Sequence, residues 1–279
     1  MMMKSLRVML GIMLVAIFMV GTMTCEAAKK TVAVTGIEDM DRSSYGRKAA
    51  AELDAAITTI LVKSGCYNVV ERSQLSHVIR ELGLQSTGMI AGNTAIQFGQ
   101  MVGADYTVVG NIVAADVDSF NNYLYKGTKA KIKFNFKFID NKTGLIKIAE
   151  ILEGSDTVSE FENKSPDRDM LISGAANDVA RKIVAKIDEI NPLSGLVVSV
   201  SDKQIYIDLG SDNGVKMGDS FTIYKEGNII KHPVTGQIIA VKEIVIGSMK
   251  VVEVHSNYAL CLLKKSKGRV AVGDKVKRG

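Results

Sequence analysis

A strict alternation of side chains between residues 129 and 138 constrains the fold more than any other feature of the sequence. The segment reads KAKIKFNFKF, with lysine or asparagine at every odd position and an apolar residue at every even position. Successive side chains of a strand point to opposite faces, so this pattern predicts a sheet with one face on the core and one in water. The residues DNKTG at 140–144 then predict a hairpin turn, and Leu145–Leu152 the returning strand.

The stretch before this hairpin alternates between strand patterns and helix patterns, which is typical of an α/β fold. Short apolar runs predict the strands, whereas apolar residues spaced three and four apart predict the helices. Serine and glycine supply the expected helix caps. The first predicted elements are a strand at Thr31–Thr35 and a helix that begins at Ser43 or Ser44 and ends at Gly65. The apolar stripe of this helix is Ala49, Leu53, Ala56, Ile57, Ile60 and Leu61. The elements that follow are a strand at Tyr67–Glu71, a helix from Ser73 to Gly83, a short helix at Thr94–Met101 and a strand at Tyr106–Val113.

A long helical pattern follows the hairpin and ends at Asn191-Pro192, because the residue before a proline avoids the helical conformation. Beyond it, short apolar stretches such as VVSV, FTIY and QIIAV alternate with glycine and aspartate turns, which favours a small barrel. The sequence therefore predicts an α+β chain, with a mixed α/β domain at 28–190 and a small all-β domain of the SH3-like barrel type at 191–279. The predicted buried stripe of the long helix is Ile172, Ala176, Val179, Ala180, Ile183, Ile187 and Ile190.

The beginning of the chain has the pattern of a secretory signal. Lys4 and Arg7 precede an apolar run at 8–20, and small residues follow it, so a signal peptide at 1–27 and a cleaved, periplasmic protein are expected. Acylation of Cys25, as in an outer-membrane lipoprotein, is the alternative. Cys66 and Cys261 then remain, and buried free thiols are favoured over a bond between them. The formal net charge of +5 suggests, at most, contact with anionic envelope surfaces.

No constellation of catalytic residues emerges from the spacing. His77, His232 and His255 lie far apart, and Asp116-Val117-Asp118 lacks the later ligands of a calcium loop. We therefore predict no catalytic residue, no cofactor and no metal site, and an envelope hydrolase is the least favoured reading. Glu71 and Arg72 are interpreted as a salt-bridging pair that positions a strand end, with Ser73 as the cap of the next helix.

Two lysine-rich surfaces are the candidate interaction sites. Lys131, Lys133 and Lys137 lie on the wet face of the alternating strand, where they either bind anions or, as we favour, keep an open sheet face soluble. Lys264 and Lys265 begin a basic stretch near the end of the chain. Either this tail or the lysine-rich sheet face is expected to dock an envelope partner.

Several segments together resemble the CsgG family of curli secretion proteins. They are TGIED after the first strand, CYNVVERSQLSHVIRELGLQSTG, AIQFGQMVGADYTVVGNI and the hairpin FIDNKTGLI, which cover roughly residues 30–190. The tail resembles the C-terminal domain of the flagellar assembly protein FlgT. The segments that carry this likeness are GLVVSVSDKQIYIDLGSDNGVKMGDSFTIY, HPVTGQIIAVKEIVIGSMKVVEV and VAVGDKV.

The resemblance implies a non-enzymatic protein that acts in secretion or in the assembly of a surface structure, a curli-like fibre or a flagellum-like appendage. Channel-forming members of the family insert two β-hairpins per subunit and form rings, but residues 117–128 and 154–167 are interpreted here as connections too short to span a membrane. We therefore expect a periplasmic scaffold or accessory that self-associates or binds envelope or appendage proteins, with outer-membrane association as a further expectation. Neither nucleic acid nor a small-molecule substrate is expected. An outer-membrane channel subunit is the alternative.

Overall fold

Two sheets of different topology carry the fold. The computed structural model describes residues 29–70, 100, 102–121, 126–160 and 167–279. The first sheet, with two helices, forms what we call the sheet unit, and a closed barrel forms the barrel unit, so the predicted α+β class is confirmed. The sheet unit consists of β1 (Lys30–Asp39), α1 (Ser44–Ser64), β2 (Tyr67–Val69), β3 (Tyr106–Asn121), β4 (Lys126–Asp140), β5 (Ile146–Glu160) and α2 (Arg168–Ile190). The barrel unit consists of β6 (Ser194–Ser201), β7 (Gln204–Ile207), a 3-10 turn (Ser211–Asn213), β8 (Ser220–Lys231), β9 (Ile238–Val254), β10 (Ala259–Ser266) and β11 (Lys275–Arg278).

The sheet of the first unit is mixed, with the strand order β2-β1-β3-β4-β5. β1 pairs in parallel with both β2 and β3, as the alternation of strands and helices predicts, whereas β3, β4 and β5 are antiparallel. The hairpin turn at 140–144 joins β4 to β5, and its Gly144 has a φ of 73°. Its Asn141 is buried and accepts a hydrogen bond from the Thr107 hydroxyl at 2.9 Å, so the turn is fixed to β3.

Both helices begin and end where their sequence signals indicate. The Ser43 hydroxyl accepts a hydrogen bond from the Gly46 amide at 2.8 Å, and Gly65 ends α1 in the left-handed conformation. Asp167 caps α2, and Asn191 ends it. The predicted stripe of α2 is buried except at Ile190, which is 44% exposed, so that prediction was wrong for the last residue of the helix.

The alternating strand is β4, and its two faces differ as predicted. The even positions from Ala130 to Phe138 are fully buried beneath α1 and α2, where three phenylalanines form the centre of the core. Lys131, Lys133 and Lys137 are exposed on the opposite face.

The sheet continues further than the sequence pattern indicated. β3 reaches Asn121 and β5 reaches Glu160, so the described parts of the two segments interpreted as connections are paired strands. Val117 pairs with Ala130, and Ala130 pairs with Asp156. The interpretation as connections was wrong because a weaker alternation persists there: Ala115 and Val117 face the core while Asp116 and Asp118 share the outer face with the lysines.

The barrel closes in the order β10-β7-β6-β11-β8-β9. Its core is separate from that of the sheet unit and contains Phe221, Ile223, Met249 and Cys261. The segment at 210–214 forms a tight 3-10 turn, in which Gly214 has a φ of 78°. Strands β8 and β9 are longer than the barrel and continue beyond it as a hairpin.

Candidate interaction surfaces

The lysine face of β4 carries mixed charge. Lys131 lies opposite Asp116 on β3, and the Lys133 ammonium lies 2.9 Å from the Glu153 carboxylate on β5. The Lys133 ammonium lowers the pKa of Glu153, and both side chains are at least half exposed. Opposite charges directly across from one another stabilise antiparallel strands by small amounts. Lys131 and Lys133 therefore have acidic residues beside them on the neighbouring strands, and the role of this face stays a prediction.

The Glu71-Arg72 pair and its neighbour Ser73 lie outside the described residues. The same is true of His77 and of the helices predicted after Ser73 and at 94–101, apart from Gln100. Their assigned positioning roles stay predictions.

Lys264 and Lys265 lie near the end of β10, in the barrel unit, on a different sheet from the β4 lysines. Lys265 pairs with Ser248 and the next residue, Ser266, pairs with Gly247, the point at which β9 leaves the barrel. Lys267 and Arg269 follow, and all four basic side chains are exposed. We call these four residues the basic collar, because they lie at the base of the hairpin that extends from the barrel.

The extending hairpin is apolar and uncovered. Every residue from 228 to 245 is exposed, and we call this segment the arm. The barrel neighbours end at its base, since β11 pairs with β8 no further than Tyr224 and β10 pairs with β9 no further than Gly247. Sequence reasoning assigned QIIAV to the barrel and missed the arm. Its aliphatic side chains, each between 39% and 86% exposed, are Ile229, Ile230, Val234, Ile238, Ile239, Val241, Ile244 and Val245.

The two units meet at a backbone contact between two glycines. A Cβ atom on Gly65 would lie 2.7 Å from the Gly214 Cα atom, and one on Gly214 would overlap the Ser64 carbonyl oxygen. Both glycines have positive φ, which side chains disfavour. The backbones at the end of α1 and at the turn before β8 are therefore in direct contact, with no room for a side chain at either glycine.

Arg278, next to the last residue, lies at the same junction. Its guanidinium donates to the Gly214 carbonyl oxygen at 2.6 Å and forms an ion pair with Asp219 at 2.9 Å. It also donates to the Cys66 sulfur at 3.4 Å, which links the barrel unit to the sheet unit. Sequence reasoning missed this residue, because nothing local distinguishes it from the other basic residues near the chain's end.

Asp188 on α2 is the half-buried carboxylate of the junction. It accepts a hydrogen bond from the Tyr67 hydroxyl at 2.7 Å. Burial raises the pKa of Asp188, whereas the Tyr67 hydrogen bond and the positive charge of Arg278 act in the opposite direction. Burial and the Asp188 carboxylate also raise the pKa of Tyr67.

An open cavity of about 510 Å³ lies between the units, lined by Cys66, Asp188, Leu193 and Arg278 among others. Cys66 is half-buried and free, and among the described residues that line this cavity there is no histidine that could act as its base. Over the described ranges, no three histidine, cysteine, aspartate or glutamate side chains gather as metal ligands would. Within the same part of the chain, no helix is both long and apolar enough to cross a membrane.

Comparison with protein families decides the relationship. The family model described as "Curli production assembly/transport component CsgG" matches residues 17–165, more than half of the chain. The chain belongs to the CsgG family. The model described as "Flagellar assembly protein T, C-terminal domain" matches residues 202–277, within the barrel unit. Both predicted resemblances are thereby confirmed, and both descriptions name assembly or transport components.

Solved structures give weaker likenesses. The hypothetical protein CT253 from Chlamydia trachomatis is 17% identical, with a TM-score of 0.37, over 58% of this chain and 96% of that one. The C-terminal domain of LpoB from Escherichia coli is 21% identical, with a TM-score of 0.30, over 48% and 84%. A PelC dodecamer from Paraburkholderia phytofirmans is 15% identical, with a TM-score of 0.33, over 56% and 87%. No curated protein matches the chain.

Proposed function

We propose that this protein is a non-enzymatic scaffold or accessory of the cell envelope that acts in the assembly or secretion of a surface structure, either a curli-like fibre or a flagellum-like appendage. The observation that carries the proposal is the combination of a CsgG-family region with a FlgT-like C-terminal region in one chain. The close contact between Gly65 and Gly214 supports a single working unit, because it fixes one region against the other.

The outer edge of β5 is the surface we propose for self-association. β5 is the last strand of its sheet, so its outer backbone groups have no strand partner among the described residues. In the middle of the strand, α2 occupies this edge: Asp178 accepts from the Ser155 amide at 3.2 Å, and Lys182 donates to the Glu153 carbonyl at 2.7 Å. No described residue pairs with the outer edge of the preceding stretch, Ile146 to Leu152. Open strand edges are templates for pairing with another chain.

The open stretch of β5 also carries exposed apolar side chains. Ile146 is 54% exposed and Ile151 is 63% exposed. A second copy that paired here would cover both the backbone edge and these isoleucines. Ile151→Lys should therefore reduce self-association, because it places a charge in the contact.

Light scattering coupled to gel filtration tests this proposal. The matched control is Val62→Lys, which places the same charge at a 57% exposed valine on α1. We expect wild type and Val62→Lys to form the same oligomer and Ile151→Lys to be smaller. In the producing cells, loss of the gene should reduce the surface structure, and Ile151→Lys should not restore it. A surface structure unchanged by gene loss would refute the assembly role, whereas a monomeric wild type would refute only the β5 contact.

Export as a periplasmic protein is part of the proposal. Mass spectrometry of protein recovered from cells should find Ala28 at the N-terminus. A diacylglyceryl group on Cys25 would instead identify an anchored lipoprotein.

A channel subunit is the alternative with less support. Val117 and Thr128 are still buried in the sheet, which leaves residues 118–127 of the connection from β3 to β4 beyond them, and β5 ends at Glu160. A strand that spans a membrane needs about 9–11 residues, and a hairpin needs roughly twice as many plus a turn. Protein reconstituted in planar bilayers is expected to give no conductance steps, and steps abolished by deletion of residues 118–127 would restore the channel interpretation.

A further inference from the structure

The arm is not expected to be stable when it is surrounded by water alone. It is a two-stranded ribbon, in which Ile229 pairs with Val241 and Ile230 pairs with Ala240. An isolated two-stranded hairpin is at best marginally stable in water. Exposed aliphatic side chains lie on both faces of the ribbon, and large exposed apolar patches in soluble proteins mark interaction sites. The question is which surroundings fit both faces of the ribbon.

Charge at the base of the arm is almost entirely positive. The basic collar (Lys264, Lys265, Lys267 and Arg269) contains no acidic residue, and the Lys267 amide donates to the Ile246 carbonyl at 2.8 Å, where the arm begins. Acidic residues nearby are paired with lysines: Glu226 with Lys275, Glu243 with Lys277 and Asp274 with Lys225. A partner that contacts the arm therefore meets excess positive charge beside it.

We propose that the arm and the basic collar together dock this protein on the surface of an anionic lipid bilayer. Clusters of lysine and arginine are attracted to anionic headgroups, and aliphatic side chains gain by entering the boundary between headgroups and acyl chains. The proposal does not depend on the assembly role, and it assigns the arm a ligand of defined chemistry.

The arm fits the interface of a bilayer and not its centre. Along β9 the arm extends seven residues from Val245 to Ile238, or about 23 Å at ~3.3 Å per residue. Upright insertion at that length would carry open backbone edges into hydrocarbon, where they cannot be satisfied. The arm therefore lies along the surface, at a depth of roughly 5–10 Å.

Both faces of the ribbon carry a lysine among aliphatic side chains, so either face can lie against the surface of a bilayer. Lys231 shares a face with Ile229 and Val241, because side chains alternate along a strand. Lys242 likewise shares the other face with Ala240. A lysine among aliphatic side chains can bury its carbon chain and extend its ammonium to the headgroups.

The composition of the arm favours lipid over a protein partner. Protein interfaces are enriched at their centres in aromatic residues, methionine and arginine. Residues 228–245 contain no phenylalanine, tyrosine, tryptophan, methionine or arginine, and the exposed large hydrophobic side chains of the segment are isoleucine and valine. A protein contact is the competing outcome that the experiment distinguishes.

Vesicle flotation tests the proposal with protein recovered from the producing cells. Vesicles contain either phosphatidylcholine alone or equal parts of phosphatidylcholine and phosphatidylglycerol. We expect binding to the anionic vesicles only, and weaker binding as salt is raised. All variants share one N-terminus, so any contribution of that segment cancels in the comparisons.

Two pairs of variants separate the apolar part from the charged part. Ile230→Thr/Ile239→Thr keeps β-branched side chains in the arm and should lose binding at least tenfold, whereas Val113→Thr, at a 44% exposed strand position on β3, should not. Lys264→Gln/Lys265→Gln should lose about 30-fold, roughly fivefold per lysine. Lys131→Gln/Lys137→Gln, which removes the same charge from β4, should change binding little.

A fluorescent reporter keeps the test valid if an arm variant misfolds. The chain contains no tryptophan, so Val234→Trp at the tip of the arm introduces a single one. Its emission should shift to shorter wavelength on addition of anionic vesicles, and Leu145→Trp in the sheet unit should not shift. The proposal is overturned if wild type does not float with anionic vesicles at low salt, if both lysine pairs lose binding equally, or if the arm variants change only the size of the oligomer.

Discussion

A single methyl group added at Gly214 should separate the two units. Gly214 lies in the turn before β8 and faces the end of α1, and its Cβ would overlap the Ser64 carbonyl oxygen. That oxygen belongs to the backbone, so it cannot rotate away as the end of a side chain could. In Gly214→Ala, the turn must shift or the barrel must move away from the helix.

The expected loss of stability has two parts. A left-handed φ costs alanine roughly 1 kcal/mol relative to glycine. The overlap adds a cost like that of overpacking a core, about 1–3 kcal/mol. We therefore expect Gly214→Ala to lower the free energy of unfolding by about 2–4 kcal/mol. The matched control is Gly273→Ala, whose φ of 88° is also left-handed but whose Cβ would meet no atom within 4 Å, so it should lose only the first part.

Urea unfolding followed by far-ultraviolet circular dichroism measures both losses. Wild type and Gly273→Ala should unfold in similar transitions with different midpoints. Gly214→Ala should unfold in a broader or divided transition, because the two cores are then no longer held together. Equal losses for the two variants would refute the claim that the glycine contact fixes the units. Equal losses would also remove the structural support for treating the sheet unit and the barrel unit as one working unit.

Two further predictions concern titration and reactivity. Burial raises the pKa of Asp188, so the folded state retains this proton to a higher pH than the unfolded chain does, and the stabilisation is lost as pH rises through the raised value. In melting experiments from about pH 4 to about pH 7, Asp188→Asn should therefore depend less on pH than wild type, and parallel curves would contradict this. Burial also raises the pKa of Cys261 to about 12, so of the two described cysteines a thiol reagent should label Cys66 in native protein and should label Cys261 only after unfolding. Rapid labelling of native Cys261 would contradict its burial.

Local signals in the sequence predicted most of the sheet unit. The alternation along β4 is complete over ten residues, so the burial of its phenylalanines follows from the strand period alone. Ser43 and Gly65 mark the ends of α1 because cap residues act on backbone groups within three positions of themselves. The predicted burial of Ile190 was wrong because the last turn of α2 extends beyond the core that the earlier turns cover.

Contacts between distant segments could not be predicted in this way. Arg278 reaches Gly214 and Cys66, which are 64 and 212 positions away, and no periodic pattern encodes such pairs. The arm shows the same limit. QIIAV is a short apolar run, and a run of isoleucine and valine predicts a strand without indicating whether a core covers it. The structure places this strand outside the barrel, where each of its residues is exposed.

The four residues of β11 connect the junction to the base of the arm. Lys275 and Lys277 pair with Glu226 and Glu243, which lie where the two strands of the arm begin. The next residue, Arg278, contacts Gly214 and the sheet unit. Because one short strand makes both sets of contacts, the direction in which the arm leaves the barrel is fixed relative to the sheet unit. A surface that holds the arm would therefore also orient the open edge of β5, and with it the proposed contact between copies.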